Sequence, residues 1–208
     1  MRVAAFGATG GTGRNVVEQG LSRGLEITAF VHKTPGFDRP VPHMSVANGD
    51  VLNPGDVEKA VENQDAVVST LGVPRDSHQP VVSEGTRNII SAMKKFGVER
   101  LIVESAHGAG DSALEMPLFI RLVVRGVLLK NQFDDKDQME RLVRESDLKW
   151  TVVRPARLTD GPATGKFRAG ERIAHGMPPS VSRADVARFM LDQLESTEYV
   201  RRMPTITG

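Results

Sequence analysis

The chain has 208 residues, 39% of them hydrophobic and 25% charged, and its 27 basic side chains nearly cancel 26 acidic ones. That mixture supplies one well-buried core, is too small for two full domains, and argues against disorder. A net charge of +1 gives no case for nucleic acid or an anionic membrane, and the absence of cysteine excludes disulfides, thiol nucleophiles, iron–sulfur clusters and cysteine-ligated zinc.

In chain order, Val3 to Phe6 is a short apolar strand that runs straight into glycines, and Asn15 to Arg23 reads as a helix with Val16, Val17 and Leu21 on one side. Glu26 to Val31 is a second strand and Met44 to Ala47 a weaker third. Asn53-Pro54 opens a short helix, since proline suits a first helical turn. Ala66 to Leu71 is a strand, Val81 to Phe96 a long helix, Arg100 to Glu104 a strand, Asp134 to Glu145 a helix and Trp150 to Arg154 a strand. Short strands alternating with helices predict a single α/β domain over 1–208. Its Rossmann-type, doubly wound parallel sheet carries helices on both faces. Two stretches, 106–132 and 159–181, break the alternation on the side where the strands end, so they are expected to form pocket walls. The apolar run before Gly7 is too short for a signal peptide, and no stretch approaches the roughly 20 apolar residues of a membrane span. A cytoplasmic location is therefore expected.

The strongest signal is Gly7-Ala8-Thr9-Gly10-Gly11-Thr12-Gly13, which leaves the first strand and opens the first helix. Gly7 allows a tight turn, Gly10 lets backbone approach a pyrophosphate, and Gly13 lets the helix pack on the sheet. The first-turn amides and the helix dipole then face phosphate, with Thr9, Gly11 and Thr12 in the same cradle. The alternative is a tight turn with no ligand; the strand–turn–helix context favours the dinucleotide. At the end of the second strand an NAD site usually carries an acid. Here Val31-His32-Lys33-Thr34 stands instead, with no carboxylate before Asp38. A cation and a hydroxyl suit the 2′-phosphate of NADP, although Lys33 also reads as an ordinary solvated loop lysine.

GATGGTG, then Gly49-Asp50-Val51, then Ser69-Thr70-Leu71-Gly72, then WTVVRPARLTDGPATG from Trp150 to Gly165 resemble the atypical short-chain dehydrogenase/reductases over essentially the whole chain. Within them the chain is most similar to the small NmrA-related NAD(P)H-binding proteins. Val81 to Val103 and the ending RADVARFMLDQL resemble the flavin reductase/biliverdin reductase group. The resemblance implies NADPH as cofactor and an apolar pocket over the nicotinamide. It implies that Asp50 and Val51 border the adenine, that Leu71 and Gly72 lie beside the cofactor, and that Ser105 faces nicotinamide and substrate.

The departures matter as much. Standard members use Tyr-x-x-x-Lys; this chain has one tyrosine, Tyr199, and Met at 203. Gln132 falls where the tyrosine would, and Lys136 where the lysine would, either holding ribose hydroxyls or solvated on its helix. Where the biliverdin reductase pattern has a histidine, this chain has Arg157. The five histidines lack helical ligand spacing and carboxylate partners, so no metal site is expected. His107 follows Ser105 by two residues, but Ser105 has no G-x-S-x-G elbow, so a hydrolase is not indicated; His107 is a loop or substrate-facing residue. Leu118 to Leu129 is apolar except for Arg121, Arg125 and Gly126. On a helix those arginines share a face. They either point to solvent from a buried or oligomer-facing helix or form a cationic lid over an anionic substrate; a membrane-surface helix is a third reading.

The sequence thus predicts an NADPH-dependent oxidoreductase passing hydride to a conjugated acceptor such as a flavin, bilin or quinone. Ser105 positions the acceptor, with a small-molecule partner and an oligomeric state left open. The alternative is a non-catalytic NADP(H)-binding redox sensor.

Overall fold

The computed structural model describes residues 1–32, 37, 41–73, 79–171, 173 and 180–208, without the side chains of Ile120, Val124 and Val127. The elements run β1 (Arg2–Phe6), α1 (Gly11–Ser22), β2 (Glu26–Val31), β3 (Met44–Asn48), α2 (Pro54–Val61), β4 (Ala66–Ser69), α3 (Val81–Phe96) and β5 (Arg100–Glu104). A 3-10 turn (Gly110–Glu115), α4 (Leu118–Val123), a π-helical turn (Val124–Leu128) and α5 (Lys130–Glu145) follow. The chain ends with β6 (Lys149–Pro155), β7 (Arg157–Thr159), β8 (Arg168–Gly170), β9 (Ser180–Ser182), α6 (Arg183–Asp192) and β10 (Thr205–Thr207).

Eight strands form one sheet in the order β3-β2-β1-β4-β5-β6-β10-β8, parallel throughout except for β8, which runs antiparallel to β10. β7 and β9 pair separately. This is the expected Rossmann-type α/β fold. The order reverses between β1 and β4, and the crevice outside their carboxyl ends is where such sheets hold ligands.

Period-two alternation along the strands divides the core. Phe6, Val67, Leu101 and Val103 pack under Ile89 and Met93 of α3 and Met139 of α5. Their neighbours Ala5, Val68 and Ile102 pack on the other face, under Val16 and Val17 of α1 and Val186 and Met190 of α6. The same alternation sends Glu104 toward α1 and α6 and Ser105 toward α5.

Three boundaries differ from the sequence reading by two residues or more. α1 begins at Gly11 rather than Asn15, because the glycines themselves form its first turn. α5 begins at Lys130 rather than Asp134, with Lys130 and Asp134 paired one turn apart. β4 stops at Ser69, two residues early: the Thr70 N–H donates to Phe6 O (2.9 Å), and Thr70 Oγ1 donates to Phe6 O (3.1 Å).

Candidate functional site

The glycine turn is locked by close backbone approach. Gly7 has φ +73°, and a Cβ there would lie 2.5 Å from Thr70 O; a Cβ on Gly13 would lie 2.0 Å from Gly7 O. Gly10 N–H donates to Gly7 O at 2.9 Å, which closes the turn. Gly10 is also the N-cap of α1 and gives it no side-chain cap, whereas Asn53 caps α2 and Ser182 caps α6. α1 therefore meets the crevice with bare amides at the positive end of its dipole, a fit for phosphate.

That turn forms one end of a cavity of about 1400 Å³. Gly7, Thr9, Gly10, Gly11 and Thr12 line it; Gly13 does not, being packed against Gly7. His32, Asp50, Val51, Leu71 and Gly72 continue the wall, joined by Phe30, Leu52 and Thr70. Asp50 Oδ1 accepts from Leu52 N–H (2.9 Å) and lies 3.9 Å from His32 Nδ1. Lys33 and Thr34 lie outside the described residues.

The far end is formed by Ser105 to His107, Met116, Pro117, Leu129, Gln132, Phe133 and Lys136, with Pro155 to Leu158 opposite. The 106–132 stretch thus supplies much of this wall. No described residue of 159–181 lines the cavity; β8 is instead drawn into the main sheet. Gln132 and Lys136 sit one turn apart on α5 and both face the cavity. Lys136 is not a solvated helix lysine: its Nζ donates to Ser105 O at 2.9 Å, and burial pushes its ammonium pKa down, opposed by Glu104, Glu140 and Asp135. Arg157 is exposed at the cavity edge, and His107 lies 3.9 Å from Glu115 through its Nδ1.

Two expectations need correction. Ser105 borders the cavity, but its hydroxyl donates to Glu140 Oε1 at 2.7 Å, beneath the wall. Arg121 and Arg125 are not a cationic pair over the cavity. The π-helical turn after α4 breaks the helical spacing between them, and neither lines it. Arg125 turns inward, pairs with Asp137, donates to Gly108 O (2.6 Å) and stacks over Phe133. The apolar side chains behave conversely: Leu118, Phe119 and Leu122 are 60–76% exposed.

Two charged residues beside the glycine turn, Glu104 and Arg183, line the site without having been singled out from sequence. Glu104 lines the cavity and accepts from Thr12 Oγ1 at 3.1 Å. Burial pushes its carboxyl above the usual range, against the pull of Lys136, Thr12 and Arg183. Arg183, opening α6, lies over the glycine turn, where a Cβ on Gly11 would meet its Cδ at 2.6 Å, and it pairs with Asp160 at 2.6 Å. The sequence signals were slight: a charged residue closing an apolar strand, and an arginine at a helix start. Tyr199 does not line the cavity; its hydroxyl donates to Ala169 O at 3.4 Å. Among the described residues, no group of three or more His, Cys, Asp or Glu is arranged to hold a metal ion, and no helix is long and apolar enough to cross a membrane.

Residues 7–197 match the NAD(P)H-binding family. An uncharacterized chloroplastic protein of Arabidopsis thaliana is 31% identical over 211 residues, covering 95% of this chain and 73% of the relative. The anaerobilin reductase ChuY of Escherichia coli O157:H7 superposes with a TM-score of 0.84 at 23% identity, covering 99% of this chain and 96% of its own. A wide-type short-chain dehydrogenase/reductase of Veillonella parvula, solved in complex with NADP, gives 0.83 at 21% identity, covering 100% and 94%. The chain belongs to the NAD(P)H-binding family and has the fold of the atypical short-chain dehydrogenase/reductases.

Proposed function

We propose that this member of the NAD(P)H-binding family is an NADPH-dependent reductase that passes hydride to a flat, conjugated acceptor of the flavin, bilin or quinone class. The observation that carries the reading is the continuity of the cavity. One end is a glycine turn with an uncapped helix terminus. The other is an apolar wall of Met116, Pro117, Leu129 and Phe133, and about 1400 Å³ spans both. A pocket for one drug-sized ligand is roughly 300–1,000 Å³, so this larger volume suits a dinucleotide and a second planar molecule. The NADP complex of the Veillonella parvula fold relative and the reductase activity named for ChuY are consistent with the reading.

In the proposed complex the amides of Gly11 and Thr12 hold the pyrophosphate, with the Arg183 cation beside them. Asp50, Val51 and Leu52 border the adenine. Lys136 holds the nicotinamide ribose and keeps the β5 end rigid through Ser105 O. Lys33 and Thr34 take the 2′-phosphate. The bound cofactor supplies the hydride. The chain contributes orientation and a cavity from which water is displaced, with Ser105 acting through the backbone geometry of the β5 end rather than through its hydroxyl. The same reading has the protein act in the cytoplasm on a small molecule, without nucleic acid.

A second reading, an NADP(H)-binding redox sensor, is favoured by one observation: Gln132 stands where an acid is needed, and the Ser105 hydroxyl is committed to Glu140. Stopped-flow oxidation of NADPH with FMN, FAD, quinones and biliverdin separates the two. Turnover with one acceptor class is expected. Tight NADPH binding with no oxidation by any of them would transfer the assignment to the sensor.

A further inference from the structure

Glu104 has no part in the proposed hydride transfer, yet it sits inside the proposed dinucleotide site, and its role is inferred on that reading of the cavity. Its side chain is 7% exposed, and the surface it does show is cavity wall. One carboxyl oxygen accepts from Thr12 in the first turn of α1; no other hydrogen bond to the carboxyl is present among the described residues. An ionised Glu104 and a bound pyrophosphate would therefore be two anions at one helix N-terminus, in a space the ligand itself closes to water.

The groups facing Glu104 do not remove this conflict. Thr12 approaches from α1, Arg183 from α6 and Lys136 from α5. The Arg183 charge is shared with Asp160. The Lys136 ammonium faces Glu140 and Asp135 as well as Glu104, and it is committed to Ser105 O. Neither cation is reserved for Glu104: in the proposed complex the pyrophosphate draws on Arg183 and the nicotinamide ribose on Lys136.

We propose that Glu104 is a cofactor-binding residue that enters the complex as the neutral acid. Its free oxygen donates a hydrogen bond to the dinucleotide, while the other continues to accept from Thr12. Binding then takes up a proton wherever the free protein holds Glu104 ionised. The balance is simple: one proton from solvent joins the carboxylate, and no covalent bond is made to the ligand. Affinity thereby falls as pH rises through the range in which the free protein ionises Glu104.

The test is calorimetric titration of the whole protein with NADPH. It is run from about pH 6 to about pH 9.5, in two buffers of different ionisation enthalpy, to count protons directly. Net uptake is expected to rise toward one proton per NADPH, with Kd weakening by up to about tenfold per pH unit. Glu104→Gln keeps an acceptor for Thr12 and a neutral donor, so it should lose that uptake and flatten the profile. The 2′-phosphate, with pKa near 6 by analogy with other phosphate monoesters, titrates in both proteins and cancels in the difference. Should Glu104→Gln fail to fold, Thr12→Val serves: loss of the hydrogen bond moves the onset of uptake to higher pH. Equal uptake in the wild-type and Glu104→Gln proteins, or an unmoved onset in Thr12→Val, overturns the proposal and leaves Lys136 as the group that takes up the proton. NADPH binding without net uptake overturns it while sparing the cavity reading. No NADPH binding at all sinks both.

Discussion

Ser105 donates its hydroxyl to Glu140 Oε1 at 2.7 Å, and Glu140 is in turn gripped by Arg154, whose Nε and Nη2 donate at 3.0 and 2.7 Å. The serine that the resemblance assigns to the substrate is thus the outer member of a buried network tying β5, α5 and β6 together. Ser105→Ala should lower stability by about 1–3 kcal/mol, the cost of removing one donor from a buried carboxylate. Turnover should fall only about two- to twelve-fold, as for a positioning hydrogen bond. Urea unfolding and single-turnover NADPH oxidation give the two numbers. A rate loss beyond a hundred-fold with stability intact would restore a catalytic hydroxyl.

Glu140 and Arg154 are 1% and 4% exposed. Glu140→Leu would leave the arginine with Asp111, which is largely solvated, and the Met203 sulfur. Breaking such a buried pair costs about 3–5 kcal/mol, or on the order of 10 °C in Tm for a chain of this size. Glu140→Gln should cost distinctly less. Differential scanning calorimetry checks both, and equal Tm values for all three proteins would mean the network adds little.

The glycines separate binding from folding. Gly13 is closed by Gly7 O at 2.0 Å, so Gly13→Ala forces the α1 start away from the turn. It should destabilise by about 1–3 kcal/mol. Gly10 faces the cavity, and its nearest contact to an added Cβ is Gly7 O at 3.2 Å. Gly10→Val should keep most of the fold and lose most NADPH affinity. Circular dichroism with calorimetry tests the split; unchanged affinity in folded Gly10→Val would put the phosphates elsewhere.

These contrasts show what the sequence made legible. The sheet and its switch point follow from apolar runs that alternate with helical periods and break at glycine, all local signals. Glu104 was hidden because a charge closing RLIVE looks like a solvated strand end. Period two does put it opposite Ser105, but only the three-dimensional packing shows that α1 and α6 both begin over that spot. The arginine pair misled for a related reason. Four-residue spacing presumes an unbroken α-helix, and neither the π-helical turn nor the Asp137 partner of Arg125 is visible in an apolar run.

Cofactor choice rests on residues at the end of β2. Lys33 and Thr34 replace the usual acid, so NADPH should bind more tightly than NADH. One charge-assisted contact is worth roughly 1.5–3 kcal/mol, about ten- to a hundred-fold. Lys33→Glu should erase or reverse the preference in parallel titrations. Equal affinities in the unmutated protein would remove the basis for choosing NADP.

Asp185 sets an acid limit on the part of the fold that carries Arg183. It accepts from the N–H groups of Thr164 (2.9 Å) and Gly165 (2.8 Å) and from the hydroxyls of Thr164 (2.9 Å) and Ser182 (2.8 Å). Its own N–H donates to Ser182 Oγ at 3.0 Å, so Ser182 caps the start of α6. Burial works to raise the carboxyl's pKa but is overcome by the hydrogen bonds from Gly165, Ser182 and Thr164, which hold it below the usual range. A depressed folded-state pKa means the stabilisation is fully present above the unfolded value, about 3.9, and is lost as pH falls through the folded one. Asp185→Asn should therefore lower Tm by about 2–5 °C at neutral pH, in line with a lost cap. The gap to wild type should narrow below about pH 3.9 and close once both side chains are uncharged. Thermal melts from neutral pH down to about pH 2.5 provide the comparison. A gap of constant size across that range would show that the carboxylate charge contributes nothing and that geometry alone holds the loop to α6.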